Sequence, residues 1–141
     1  MIRRRAYRSR GQSTVEFALM LPCIMILLIG IFDVAVTYQR KVTLSQATRD
    51  GARKATIARS FGSAAAISRG EAEVRDTAGH LDQSLLTVSI TSTDNPDSPD
   101  GSQWEQGDEV VVRTTYPWSI SIFGASVMSG TLEESTTLRM E

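Results

Sequence analysis

One carboxylate, Glu16, stands at the mouth of an apolar run in RGQSTVEFALMLPCIMILLIGIF. An acidic side chain at the centre of a membrane helix costs on the order of 2.5–3.5 kcal/mol, so such a group persists where something uses it. It either pairs with a positive group on a neighbour or snorkels to the polar boundary. Asp33 raises the same question at the far end of the run, as a partner-helix contact or as a charge that reaches water within one turn. Arg49 and Arg53 lie one helical turn apart, a basic pair suited to a partner's carboxylate or to a solvated helix edge. Catalytic chemistry has less to work with. Cys23 and His80 are the only soft or imidazole-type ligands, so a structural zinc site fails on ligand count. Cys23 reads as a small apolar residue within the run, and no nucleophile motif accompanies His80. Glu133 and Glu134 are neighbours on a strand and point to opposite faces. Asp94, Asp97 and Asp100 recur every third residue in DNPDSPDGSQWEQGDE. A calcium loop of the EF-hand type needs oxygen ligands at alternate positions, then Gly, then Glu six residues later. With Gly101 as that glycine, Pro96 and Gly107 occupy the first and last ligand positions, and the segment reads as a solvated loop. No metal, no cofactor and no enzymatic activity are expected.

The charge is unevenly placed. The 141-residue chain has a formal net charge of −1, yet Arg3, Arg4, Arg5, Arg8 and Arg10 crowd the first eleven residues, which hold no acid. Without those five the net charge is −6. From Asp76 onward the basic residues are Arg113 and Arg139 alone. A nucleic-acid footprint requires an excess of basic charge on the folded part; the balance there is acidic, and nucleic-acid binding is not expected. A single cysteine rules out an intrachain disulfide, so the fold stands on packing alone.

The elements that position these groups follow from periodicity. Phe17 to Phe32 is sixteen residues without a charge, about 24 Å of helix against a hydrocarbon core of about 30 Å. Val15 and the stretch Val34–Tyr38 close the gap, with Tyr38 as interfacial anchor and Arg40-Lys41 ending the span. The arginine cluster places the N-terminus in the cytoplasm and the remaining ~100 residues outside. A cleavable secretory signal fits poorly, because the run is long for an h-region and IFDVAVTYQ offers a poor cleavage site. Pro22 predicts a bend. The helix continues to about Arg59, with Ala47, Gly51, Ala55 and Arg59 on one side and an Asp50–Lys54 ion pair along it. Ser63 is expected to cap a second helix that ends at Gly79. Its apolar positions Ala65, Ile67, Val74 and Ala78 suggest that it lies on a sheet. Alternation then predicts strands over Leu86–Ile90, Val110–Thr114 and Thr131–Met140. Tyr116-Pro117-Trp118 is expected to end the second strand and open an irregular stretch, Ser119 to Gly130. There Ile120, Ile122, Phe123 and Val127 either pack inside or form an exposed edge. The class is α+β, with a long helix, a short helix and an antiparallel sheet of about three strands.

Gly11, four residues, then Glu16-Phe17 resembles the leader of Flp/Tad-type pilins and pseudopilins, G/xxxxE(F/Y). The longer string from Arg10 to Ala55 resembles the TadE-like family through GQ-x-x-VEFAL-x-LP, an apolar stretch, G-x-x-D and A-x-R-x-GAR-x-A. The last element is Ala47, Arg49, Gly51, Ala52, Arg53 and Ala55 here. The resemblance implies a pilin-like layout: a basic leader (1–11), a transmembrane and assembly helix (12–38), extracytoplasmic helices (39–82) and a β region (83–141). It implies cutting after Gly11 by a membrane-embedded prepilin peptidase, which makes Gln12 the new N-terminus and Glu16 the fifth residue. A carboxylate there meets a neighbour's terminal amine, so the pair is less penalised in lipid and sets axial register. The implied role is a minor pilin or pseudopilin of a Flp/Tad-type (type IVb) pilus used in surface adhesion. The implied site is the bacterial inner membrane, with incorporation into a surface pilus. Other pilins and the assembly platform are the implied partners, in homo- or hetero-oligomers. Asp33, Arg49, Gly51 and Arg53 are the candidate partner-helix contacts. Two alternatives stay open: an uncut single-pass scaffold of an envelope secretion complex, and a secreted surface-binding domain.

Overall fold

A helix that is apolar on every side and then apolar on one side only must change its surroundings along its length, and the first element does so. In the computed structural model residues 12–93, 104, 108–122 and 125–140 are described. Gly11, the arginine cluster, the acids Asp94, Asp97 and Asp100 with Gly101 and Gly107, and Phe123 lie outside the described residues. Helix α1 runs from Gln12 to Ala58 as one piece of 47 residues, about 70 Å. Pro22 sits within it without ending it. Large apolar side chains on all sides of its first half, from Val15 to Val34, are exposed. From Thr43 the pattern changes: Thr43, Leu44, Ala47, Thr48, Gly51, Ala52, Ala55 and Ala58 are buried, a stripe at helical spacing.

The second helix, α2 (Ser63–Thr77), follows a single 3₁₀ turn at Arg59–Phe61. Its N-cap is Gly62, not Ser63, which lies inside the first turn and makes no capping bond. The chain reverses there at φ +97°, a conformation that favours glycine over a residue with Cβ. The buried positions of α2 are Ser63, Ala66, Gly70 and Val74; Val74, and Ala78 just past the helix end, are buried as expected, while Ala65 and Ile67 are half-buried on either side of Ala66. The helix therefore lies chiefly on α1 and only touches the sheet. Two glycines explain this. A Cβ on Gly51 would collide with Val74 Cγ2 and come within 3.0 Å of the Gly70 carbonyl. One on Gly70 would sit 2.9 Å from both Ala55 Cβ and Ile90 Cδ1. The two helices thus meet almost backbone to backbone. That approach also brings Glu73 to Lys54 at 3.6 Å, so Lys54 pairs across the helices rather than with Asp50.

Strands β1 (Thr87–Ser92), β2 (Glu109–Ile122) and β3 (Ala125–Arg139) form an antiparallel sheet in that order. Leu86, Ile90, Val110, Val112, Tyr116 and Met140 face the buried half of α1 and share its core with Leu44 and Val74. Trp104 joins them, nearly fully buried, although its segment reads as a solvated loop. The expected irregular stretch is corrected outright. β2 passes through Pro117 and pairs with β3 as far as Ile122 opposite Ala125, with one register shift at Ile120/Ser121. Pro117 is tolerated because β1 pairs with β2 only to Thr115, so a missing N–H beyond that point faces an open edge.

One buried polar contact ties helix to sheet. Thr48 Oγ1 donates to the Leu44 carbonyl at 2.7 Å and lies 2.6 Å from Thr114 Oγ1. With its one proton already given to Leu44, Thr48 accepts from Thr114. The two residues are therefore unequal. Thr48→Val strands the buried Thr114 hydroxyl and is expected to destabilise by about 1–3 kcal/mol. Thr114→Val leaves Thr48 bonded, and the double variant removes both groups, so each is expected to be milder. Denaturant unfolding of the full chain in detergent, followed through Trp104, gives the three values; equal losses for the two single variants would contradict this donor assignment.

Candidate functional site

The residues that sequence reasoning singles out divide between the two ends of α1. Gln12, Glu16 and Phe17 occupy its first turns, and all are exposed. Gln12 Nε2 donates to Glu16 Oε1 at 3.4 Å, beyond the usual range for a strong bond. The carboxylate thus keeps nearly all its acceptor capacity for another partner. It is also the only charged side chain from Gln12 to Phe32. The surrounding Val15, Leu19 and Met20 are exposed, so the acid sits on an apolar sheath that none of the described residues covers.

Seventeen residues further on, Asp33 is half-buried. Its Oδ2 is shielded and has no hydrogen-bond partner among the described residues. A shielded acceptor without a donor carries a desolvation penalty, so this oxygen calls for a donor beyond the described residues. Thr37 Oγ1 does not serve it, donating instead to the Asp33 backbone carbonyl at 2.9 Å.

At the other end, Arg49 and Arg53 are exposed, and neither guanidinium has an ion-pair or hydrogen-bond partner among the described residues. Gly51, between them, faces α2 of its own chain. The four candidate partner-contact residues are thus not one site: Asp33 is near the end of the apolar sheath, and the two arginines lie beyond it on the domain's outer face.

The remaining chemistry-bearing residues are dispersed. Glu133 and Glu134 separate onto opposite faces as alternation requires: one meets Arg113 at 3.2 Å, the other Lys41 at 3.8 Å. His80 Nε2 lies 3.0 Å from Thr43 Oγ1 and pins the end of α2 to α1. Sequence reasoning missed Gly70, which makes the helix contact possible. Its position four residues from both Ala66 and Val74 was the available signal. It also missed the length of the β2–β3 hairpin.

The loop between α2 and β1 holds one perturbed acid. Ser84 donates to Asp82 Oδ1 through Oγ at 2.6 Å and through its backbone N–H at 3.0 Å. The hydroxyl first, then the amide, hold the Asp82 carboxyl below the usual range. A depressed folded-state pKa means that the linked stability is complete above the unfolded value and is lost as pH falls through the folded one. NMR titration is expected to find Asp82 below an ordinary aspartate, and Ser84→Ala is expected to return it part of the way. An unmoved Asp82 in that variant would show that the hydroxyl is not the main cause.

Against known families, residues 11–53 match the model described as TadE-like protein. That segment takes in Gly11, the acid at the mouth of the sheath, the whole apolar half of α1 and the Arg49–Arg53 turn. No curated protein and no solved structure matches the chain.

Proposed function

We propose that this chain, TadE-like over residues 11–53, is a minor pilin or pseudopilin that takes part in assembling a Flp/Tad-type pilus, acting as a structural subunit rather than an enzyme. The observation that carries this reading is Glu16: a lone carboxylate, held by one long bond from Gln12, at the start of an exposed apolar helix that is long enough to cross a membrane. In this reading a prepilin peptidase cuts after Gly11 and frees the Gln12 amine. The Glu16 carboxylate of one subunit then meets the terminal amine of the next. Pairing lowers the penalty of placing either charge in lipid, and it sets how far one helix slides along another. Cutting also removes the five arginines that hold the N-terminus at the cytoplasmic face of the inner membrane.

Asp33 fits the same logic at the outer end of the span. Its shielded, unpartnered oxygen favours a donor from a neighbouring helix over simple exposure to water. The small domain beyond it stays on the extracytoplasmic side.

Two experiments test this. N-terminal sequencing of the protein from cells that hold the matching peptidase is expected to begin at Gln12. Retention of Met1 in functional material would overturn processing and leave a tethered scaffold subunit. Separately, Glu16→Ala is expected to insert into the membrane at normal levels while surface piliation, counted by electron microscopy, falls sharply. Normal fibres from that variant would remove the role given to the carboxylate.

A further inference from the structure

Beyond the end of β1, β2 and β3 continue as a two-stranded arm. β1 covers β2 only from Val110 to Thr115, whereas β2 and β3 stay paired out to Ile122 and Ala125. The arm runs along α1 toward its apolar half. At one level Thr114 meets Thr48. Further along, Trp118, Ile120 and Met128 line an open groove of about 290 Å³ together with Val34 and Tyr38. Six strand residues from Thr114 to Ile120 span about 20 Å, and the helix from Thr48 back to Tyr38–Val34 spans about 15–21 Å. Ile120 is therefore level with the residues that follow Asp33, and the paired strands continue two residues further.

Charge changes at the same place. None of the nineteen residues from Thr114 to Leu132 is charged, while Arg113 and Glu133, which flank them, form an ion pair across the strands. Where the arm leaves β1, the exposed positions Pro117, Ser119, Ser121, Ser129 and Thr131 carry no charge, and Val127 and Met128 are 64% and 59% exposed. Strands that face water on one side carry polar or charged residues there, and unpaired edges are guarded by charge. This arm has unpaired edges and no charge. Its apolar surface continues, through the groove, onto Val34 and Tyr38. Trp118 and Tyr38 are the residue types enriched where hydrocarbon gives way to headgroups.

We propose that the β2–β3 arm rests on the outer face of the membrane, with Val127 and Met128 in lipid and Trp118 near the headgroups, so that the domain is held against the bilayer by two elements. The proposal depends on α1 spanning the membrane through its apolar half, and the experiment separates the two claims. The full chain is reconstituted in phosphatidylethanolamine–phosphatidylglycerol vesicles and labelled with an environment-sensitive fluorophore at single cysteines. Native Cys23 reports the span. Met128→Cys and, as a second position on the arm, Ser126→Cys, each with Cys23→Ser, report the arm. Thr137→Cys with Cys23→Ser reports the far, water-facing end of β3.

The expected result is a blue-shifted signal at 128 and 126, quenched by lipids carrying a shallow nitroxide and protected from iodide, with the opposite behaviour at 137. If Cys23 is quenched by deep nitroxide lipid but 128 and 126 behave like 137, the arm is in water and the proposal falls alone. Protection from iodide without lipid quenching would mean that protein covers the arm, which also overturns it. A Cys23 probe that lipid nitroxides do not reach would remove the span and the proposal together.

Discussion

The structure depends on α1 serving two surroundings without a break. From Val15 to Phe32 nearly all its large apolar side chains are exposed among the described residues, and from Thr43 to Ala58 its small residues line a protein core. A helix satisfies its backbone in either medium, so nothing has to interrupt it at the change. What must change is side-chain size. The first half is covered in Leu, Ile, Met and Phe, while the second buries Ala47, Gly51, Ala52 and Ala55. Small residues on the buried half let α2 and the sheet approach closely, and a small domain needs that closeness because it has little surface to bury.

The Gly51–Gly70 contact sets the rest of the arrangement. It seats α2 on α1 and turns Val74 and Ala66 into the core. It also leaves the sheet to close the other side of the stripe through Val110, Val112 and Thr114. Buried polar groups are few, and Thr48 and Thr114 satisfy one another. The charges stay on the surface in spread pairs, each of modest worth.

Much of this was legible in the residues. The α1 run, the change at Tyr38–Lys41, three alternating strands and the facing sets Leu86–Val88–Ile90 and Leu132–Glu134–Thr136–Leu138 follow from period alone. The failures have specific causes. Pro117 reads as a strand breaker, but its tolerance depends on where β1 stops, which is a tertiary fact. Ser63 is a strong capping residue by type, yet the positive φ at Gly62 moved the helix start ahead of it. The α2 stripe reads correctly at Val74 and Ala78, but its first half centres on Ala66 and Gly70 rather than on Ala65 and Ile67, because Gly70 does not score as apolar although it is the position of closest packing. Lys54 was assigned to its helical neighbour Asp50 when the nearer acid, Glu73, came from another element. Trp104 shows that polar, proline-rich flanks do not keep an aromatic residue out of a core. For the site, Glu16 stood out by its isolation, whereas the shielded oxygen of Asp33 required coordinates.

The unbroken course of α1 has a mechanical corollary. A helix that continues from its apolar end into the domain has no break between Asp33 and Ala58 at which to absorb a pull along its axis. Load applied at either end is transmitted as shear across the contacts of Leu44, Thr48, Ala52 and Ala55 with their neighbours, distributed over several turns. A chain built this way resists stretching as a unit, and its weakest response is lateral peeling of the sheet from the helix.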